Sequence, residues 1–455
     1  MIYLNFLKPV HTKQSITKVI KTRKTNKNFA VKNKINDIDC VKIFDGKKIK
    51  NPLKNNDAFK DSYFVEEDTL IKTNIIKTTD SDEENYFVRA GPRKEIAWDP
   101  IHTKVAIVTC GGLCPGLNTV IRELYITLHH KYGVKFVYGV KNGYKGFYSD
   151  NLVRLDDDII RDIHHKGGSI LGTSRGGTDV KKIVDSIAHR GISHLYAIGG
   201  NGTQKGLFEI NKEIKKRGLC VSVVGIPKTI DNDLCIIDKS FGFDTSVQEA
   251  QRAIQAAKVE IEAFNNAVGI VKVMGRNSGF IAMYSSLASK DVDCCLIPEI
   301  PFDIEYDHGV LHYIKECLHK KDKILIVVSE GAGQHYINDP VNKNLNDFGI
   351  WLCEVVRSNV PNVCIKYIDP TYTIRAITPN ASDSIYCTIL AQSAVHGAFC
   401  GYTNFIVGPV NGKHAYIPLQ MAIHETNTVS EDDRMWFRLI SANGQPSFVT
   451  SEQIE

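Results

Sequence analysis

Apolar and polar positions along this chain alternate between two periods. Short apolar runs stand at Lys104–Thr109, Phe136–Val140, His194–Ile198, Val221–Val224, Val268–Val273, Lys323–Val328 and Val363–Tyr367. Each is of strand length and reads as a buried strand. The segments between several of them keep a helical period. Leu117, Val120, Ile121, Leu124 and Leu128 share one face, and so do Leu207, Ile210 and Ile214. Val180–His189 reads as a helix stopped by Gly191, and Thr245–Phe264 as a long, alanine-rich helix. Strands alternating with helices predict an α/β fold with mostly parallel, doubly wound sheets, arranged as two successive units of similar size.

The loops at the ends of these strands carry the chemistry. Lys104–Thr109 runs into Gly111-Gly112-Leu113-Cys114-Pro115-Gly116-Leu117-Asn118 and then a helix. His194–Ile198 runs into Gly199-Gly200-Asn201-Gly202-Thr203-Gln204 and then a helix. Glycines let a backbone approach a phosphate, and helix N–H groups point at the anion. Neither loop has the Gly-Lys-Ser/Thr phosphate-loop pattern or the GxGxxG spacing, and alone each is a common connection. Gly167–Gly177 places Arg175 among glycines and hydroxyls, which suits bidentate phosphate recognition or a plain surface loop. After Val221–Val224, Gly225 and Pro227 are expected to break the strand and open the loop Lys228-Thr229-Ile230-Asp231-Asn232-Asp233. Such a loop at a strand's C-terminal end lies where open α/β sheets bind ligands. A carboxylate there can take a proton from an attacking hydroxyl, and a lysine can neutralise a transferring phosphoryl group. The plainer alternative is a turn using Asp and Asn for local backbone bonds.

Composition narrows the class without naming it. The 455 residues, 43% hydrophobic and 24% charged, suit two domains plus appendages. A net charge of +5 argues for no nucleic-acid partner. No apolar run approaches the ~18 residues of a membrane span. The 12 cysteines are scattered and lack paired zinc spacing, so free thiols in a reducing compartment are expected. Residues 1–36 hold nine Lys or Arg and no Asp or Glu. That segment reads as a disordered basic arm or an organellar transit peptide, although it has only one arginine and one serine.

Taken in order, these loops resemble those of the phosphofructokinase family. Its hallmarks GGxxPGxN, GGDGT, PKTIDND, MGR, the glutamate of SEGAG and a late arginine loop stand here at Gly111–Asn118, Gly199–Thr203, Pro227–Asp233, Met274–Arg276, Ser329–Gly333 and Tyr372–Arg375. One residue departs from the pattern. The resemblance runs from about Phe87 to Phe448. The phrases Phe87–Arg93, Ala391–Gly397 and Arg434–Trp436 are similar to the plant-type ATP-dependent subgroup.

The resemblance implies two Rossmann-like domains and transfer of the γ-phosphoryl of ATP to the 1-hydroxyl of fructose 6-phosphate. It places residues 1–85 as an extension, 86–240 with a return at about 390–425 as the nucleotide domain, 241–389 as the sugar-phosphate domain and 426–455 as a tail. Carried over by motif, Asp231 is the general base, with Lys228, Thr229, Asp233 and Arg276 beside it. Gly112, Tyr144, Arg175, Gly176, Gly200, Asn201, Gly202 and Thr203 hold the nucleotide, with Tyr144 near the adenine or ribose. Thr229, Ile230, Met274, Gly275, Arg276, Glu330, Lys366, Tyr372 and Arg375 hold the sugar phosphate. Lys366 matches a cation that crosses to a neighbouring subunit, so a homo-oligomer, dimer or tetramer, is implied. A further family arginine for the 6-phosphate is replaced by Ala267.

Asn201 replaces the aspartate that helps place Mg²⁺ in most of the family, which weakens that metal contact. Gly202 occupies the position where a glycine admits ATP and an aspartate excludes it. The alternatives are a pyrophosphate-dependent enzyme and a catalytically weak regulatory subunit. The resemblance suggests a cytoplasmic protein, or a plastid one if residues 1 to about 60 are a transit peptide.

Overall fold

The computed structural model describes residues 33–35, 38–41, 48–55, 63–66, 69–72, 84–305, 308–337, 347–423 and 426–448. The chain divides into two units. Unit 1 comprises Met1–Lys228, Cys235–Phe241 and Ser384–Glu425, and unit 2 comprises Thr229–Leu234, Gly242–Asp383 and Thr426–Glu455.

The apolar runs of unit 1 become the centre of one sheet. Its order is Asn33–Ile35, Glu84–Arg89, Lys413–Pro418, Phe405–Val410, Ser222–Pro227, His194–Gly199, Lys104–Thr109, Phe136–Val140 and Leu152–Arg154, with Leu70–Lys72 also paired to Glu84–Arg89. The five strands from Phe405–Val410 to Phe136–Val140 are parallel, and antiparallel strands flank them. Helices Leu117–Ile126, Val180–Arg190 and Asn201–Lys216 turn their apolar faces inward, burying Val120, Ile183 and Leu207 among others. Parallel strands covered by helices lose water on both sides, which is why these runs lack a polar alternation.

Two expectations change here. The strand after Val221 does not stop at Gly225 but continues through Pro227, paired residue by residue from His194↔Ser222 to Gly199↔Pro227. Gly225 is small for packing: a Cβ there would stand 2.2 Å from the buried Gln204 Oε1. Part of the segment read as an extension is also built into unit 1. Asp39–Cys40 pairs with Tyr402–Thr403, Ile49–Lys50 with Glu95–Ile96, and Leu70–Lys72 with Glu84–Arg89. Asn51 is 1% exposed and donates to the Arg93 carbonyl. The transit-peptide reading covers residues 1 to about 60, of which 1–32, 36–37, 42–47 and 56–60 lie outside the described residues and the rest is partly paired into unit 1.

Unit 2 has a four-stranded, all-parallel sheet in the order Cys294–Leu296, Lys323–Ser329, Ala267–Val273, Cys364–Ile368. The helix Phe243–Glu262 packs on it through Ala250, Ile254, Ala257 and Ile261. Its N-terminus is capped from far away in sequence: Asp383, buried, accepts from the amides of Gly242 and Thr245 at 2.9 and 2.7 Å. Of residues 426–455, expected to form a tail, the described part, 426–448, belongs to this core, with Val429, Trp436 and Leu439 buried in it. All 12 cysteines stand as thiols outside any disulfide. No helix among the described residues is long and apolar enough to cross a membrane.

Candidate active site

In unit 1 the glycine loops gather at the C-terminal ends of the parallel strands. The Gly111 loop is tied to the Arg175 loop: Gly111 N–H donates to the Ser174 carbonyl at 3.0 Å and Thr173 Oγ1 to the Gly111 carbonyl at 2.5 Å. Asn118 donates to the Lys166 carbonyl and accepts from Ile170 N–H, both at 2.8 Å, and so clamps the stretch that leads into Gly172–Gly177. Lys228 joins the group, 6% exposed, with its N–H on the Gly199 carbonyl and its Nζ over Gly111. Burial pushes the thiol of neighbouring Cys110 up to about 12, so it stays protonated.

The glycines here divide by what confines them. Gly199 is fixed by packing, since a Cβ would meet Thr203 Oγ1 at 2.2 Å, and Gly200 is crowded by the Lys228 carbonyl. Gly112, Gly176 and Gly202 have nothing within 4 Å of the same point. The helix Asn201–Lys216 begins at Gly200 with no side-chain cap and no acid in its first turn. Its amide end is therefore electropositive and suited to an anion.

In unit 2 the charged residues are held by short polar struts. Thr229 Oγ1 donates to Asp233 Oδ1 at 2.5 Å. Ser278 Oγ donates to the Asp231 carbonyl at 2.9 Å, linking that loop to Met274–Arg276. Ser329 Oγ reaches the Gly275 carbonyl at 2.6 Å, and Gly275 sits at φ +125 with only 2.2 Å between a would-be Cβ and the Ser278 carbonyl. Arg276 Nε pairs with Glu330 Oε1 at 2.9 Å while its side chain remains 59% exposed. Arg375 Nε lies 3.3 Å from Met274 Sδ. From the far side, Asn427 N–H bonds the Asp233 carbonyl, and Glu299 Oε1 accepts from Gly279 and Val429. Burial holds the Glu299 carboxyl above the usual range.

Four residues named from sequence sit differently from the rest. Tyr144, expected near the adenine or ribose, is 2% exposed, and its hydroxyl is spent on the Thr203 carbonyl at 2.9 Å. It props the start of the helix from beneath. Lys366 pairs with Glu260 at 3.2 Å and stacks over Phe264 at 4.1 Å within the chain. Tyr372 is 80% exposed. Ile230 is half-buried against the unit 2 core. Sequence reasoning assigned no role to Asn118, Ser278, Ser329, Gln204 or Lys272. Asn118 and Ser329 stand at the ends of motifs and Lys272 is a cation inside an apolar run, so these three left a sequence signal.

Strand-end loops of these two kinds, glycine-built in one unit and charge-built in the other, are of the sort that α/β enzymes use for phosphorylated ligands. The sequence model of the family described as Phosphofructokinase matches residues 104–398, and the chain belongs to that family. It is 52% identical over 88% of its length to "ATP-dependent 6-phosphofructokinase 4, chloroplastic" of Arabidopsis thaliana, covering 79% of that protein. It is 51% identical to "ATP-dependent 6-phosphofructokinase 1" of the same plant, over 88% of each chain. A solved phosphofructokinase from Pichia pastoris in the T-state superposes with a TM-score of 0.60 at 25% identity over 70% of this chain. This chain spans 35% of the Pichia chain.

Proposed function

We propose that this protein is an ATP-dependent 6-phosphofructokinase. It moves the γ-phosphoryl group of ATP to the 1-hydroxyl of fructose 6-phosphate, giving fructose 1,6-bisphosphate and ADP in the committed step of glycolysis. The relatives named as ATP-dependent enzymes support the activity. One structural observation carries the donor: nothing stands within 4 Å of a would-be Cβ on Gly202, at the amide end of a 16-residue helix. That glycine is required neither by a positive φ nor by packing, which leaves room for a phosphate chain as its use.

In this reading Gly112, Gly200, Asn201, Gly202 and Thr203 hold the ATP phosphates, Arg175 and Gly176 flank them, and Tyr144 supports the loop. Asp231 accepts the proton of the 1-hydroxyl as that oxygen bonds to phosphorus and the bond to the ADP oxygen breaks. Lys228 neutralises the transferring group, and Thr229 orients Asp233. Ile230, Met274, Gly275, Arg276, Glu330, Tyr372 and Arg375 bind the sugar phosphate. Lys366 serves a neighbouring copy in a dimer or tetramer. The divalent ion in this reading is Mg²⁺, which Asn201 would help hold and which would supply charge neutralisation to the phosphates. No group of three or more His, Cys, Asp or Glu converges on a metal position among the described residues. A shell made mostly of phosphate and water, with a neutral Asn201 oxygen, fits that donor set.

Purified full-length protein given fructose 6-phosphate and Mg²⁺ turns over with ATP and not with pyrophosphate. Turnover with pyrophosphate alone overturns the donor, and turnover with neither overturns the activity. The compartment is cytoplasmic in this reading. Mass spectrometry of the native N-terminus tests it: loss of about 60 residues places the protein in a plastid instead.

A further inference from the structure

The strand Ala267–Val273 leads directly into Met274–Arg276, and six of its seven residues are buried. The exception is Lys272, whose side chain is only 12% exposed. An ammonium is costly in such a strand unless it is paired. Its Nζ bonds Asp347 Oδ2, and it bonds Asp369 Oδ2 at 2.7 Å. Burial pulls the ammonium down, but these two carboxylates outweigh it and hold it above the usual lysine value. Asp369 is pulled the other way: burial raises it, yet Lys272 and Thr371 keep it below the usual range.

The three charged groups come from different parts of the unit. Asp347 caps the helix Phe348–Asn359 and accepts from the Tyr367 hydroxyl at 3.2 Å. Asp369 accepts from Thr371 N–H at 3.0 Å and so begins the turn that carries Tyr372 and Arg375. Lys272 stands two residues before Met274, whose sulfur contacts Arg375. One cation therefore joins the root of the Arg276 arm to the root of the Arg375 arm. Packing alone could hold the two roots apart, but it would not select a lysine between two aspartates.

We propose that Lys272 is a positioning residue for fructose 6-phosphate, locking the Arg276 and Arg375 arms at one separation through Asp369. The proposal rests on the sugar-phosphate reading of unit 2. Without Lys272, Asp347 and Asp369 face each other as uncompensated like charges, so the second arm is pushed away. Removing Asp369 instead leaves Lys272 one partner, a smaller disturbance.

The test is steady-state kinetics on the full chain. Lys272→Met raises KM for fructose 6-phosphate about tenfold, as two like charges are left facing each other. KM for ATP and kcat stay within about twofold. Asp369→Asn raises the same KM about threefold, and Lys272→Arg, which can span both carboxylates, restores it. The double variant shows less than the product of the single effects. An unchanged KM for fructose 6-phosphate, or an equal rise in both KM values, overturns the positioning role. If Lys272→Met is insoluble, Asp369→Asn decides by the same criterion. Wild-type protein that fails to use fructose 6-phosphate at all refutes the functional reading instead.

Discussion

The two units build their strand-end loops from different materials. Unit 1 uses backbone: open glycines at 112, 176 and 202, an uncapped helix end, and neutral side chains such as Asn118 and Tyr144 that brace the loops. Unit 2 uses charge: Arg276 on Glu330, Lys272 on two aspartates, and Asp231 and Asp233 steadied by hydroxyls or amides. A backbone site is damaged by adding atoms. A charge-built site is damaged by removing them.

The largest effect expected from this contrast is at Asp231. Asp231→Asn keeps the shape and removes the proton acceptor, so kcat falls by about 10² to 10⁴ while fructose 6-phosphate binding holds. Near-normal turnover would take Asp231 out of the mechanism. Gly202→Asp adds a carboxylate where ATP phosphates are assigned, lowering kcat/KM for ATP by about 10² with little change in KM for fructose 6-phosphate. Equal losses on both substrates break the division between the units. Arg276→Ala deletes a cation that is 59% exposed in the free protein, so a loss nearer the solvent-screened end is expected. KM for fructose 6-phosphate should rise about tenfold, and a rise confined to ATP contradicts the assignment. The smallest effect tests a side chain on the backbone-built side. Asn201→Asp lowers the free Mg²⁺ needed for half-maximal turnover by about threefold at fixed MgATP. Activity seen only in the aspartate variant favours a regulatory subunit.

Periodicity found the strands Phe136–Val140 and Lys323–Ser329 almost to the residue, because an apolar run flanked by helical patterns has few other uses. It misplaced the end of Ser222–Pro227. Gly225 looks like a breaker in one dimension, and only the Gln204 side chain lying against it reveals a packing role. The loops of the candidate site were legible as motifs, but their struts were not. Ser278 has no sequence signal and Ser329 only its place in the SEGAG motif, and their bonds to Asp231 and Gly275 depend on neighbouring loops being brought together. Tyr144 shows the same limit in reverse. Its motif suggested a nucleotide contact, whereas burial against the helix start spends its hydroxyl on Thr203.

Unit 1 is discontinuous, and this sets an order of events during synthesis. The strand Ser222–Pro227, which delivers Lys228, gains its second neighbour only when Phe405–Val410 arrives. Translation at about 5 to 20 residues per second puts roughly 10 to 40 s between the two strands. Throughout that interval the nascent sheet presents an unpaired, apolar edge of the kind that captures other chains. Unit 2 is made during the same wait, and its long helix cannot receive its Asp383 cap until most of that unit has emerged. A ribosome stalled between about residues 240 and 400 therefore holds a chain with an open sheet, which makes the late strand Phe405–Val410 a guard against aggregation as well as a piece of the fold.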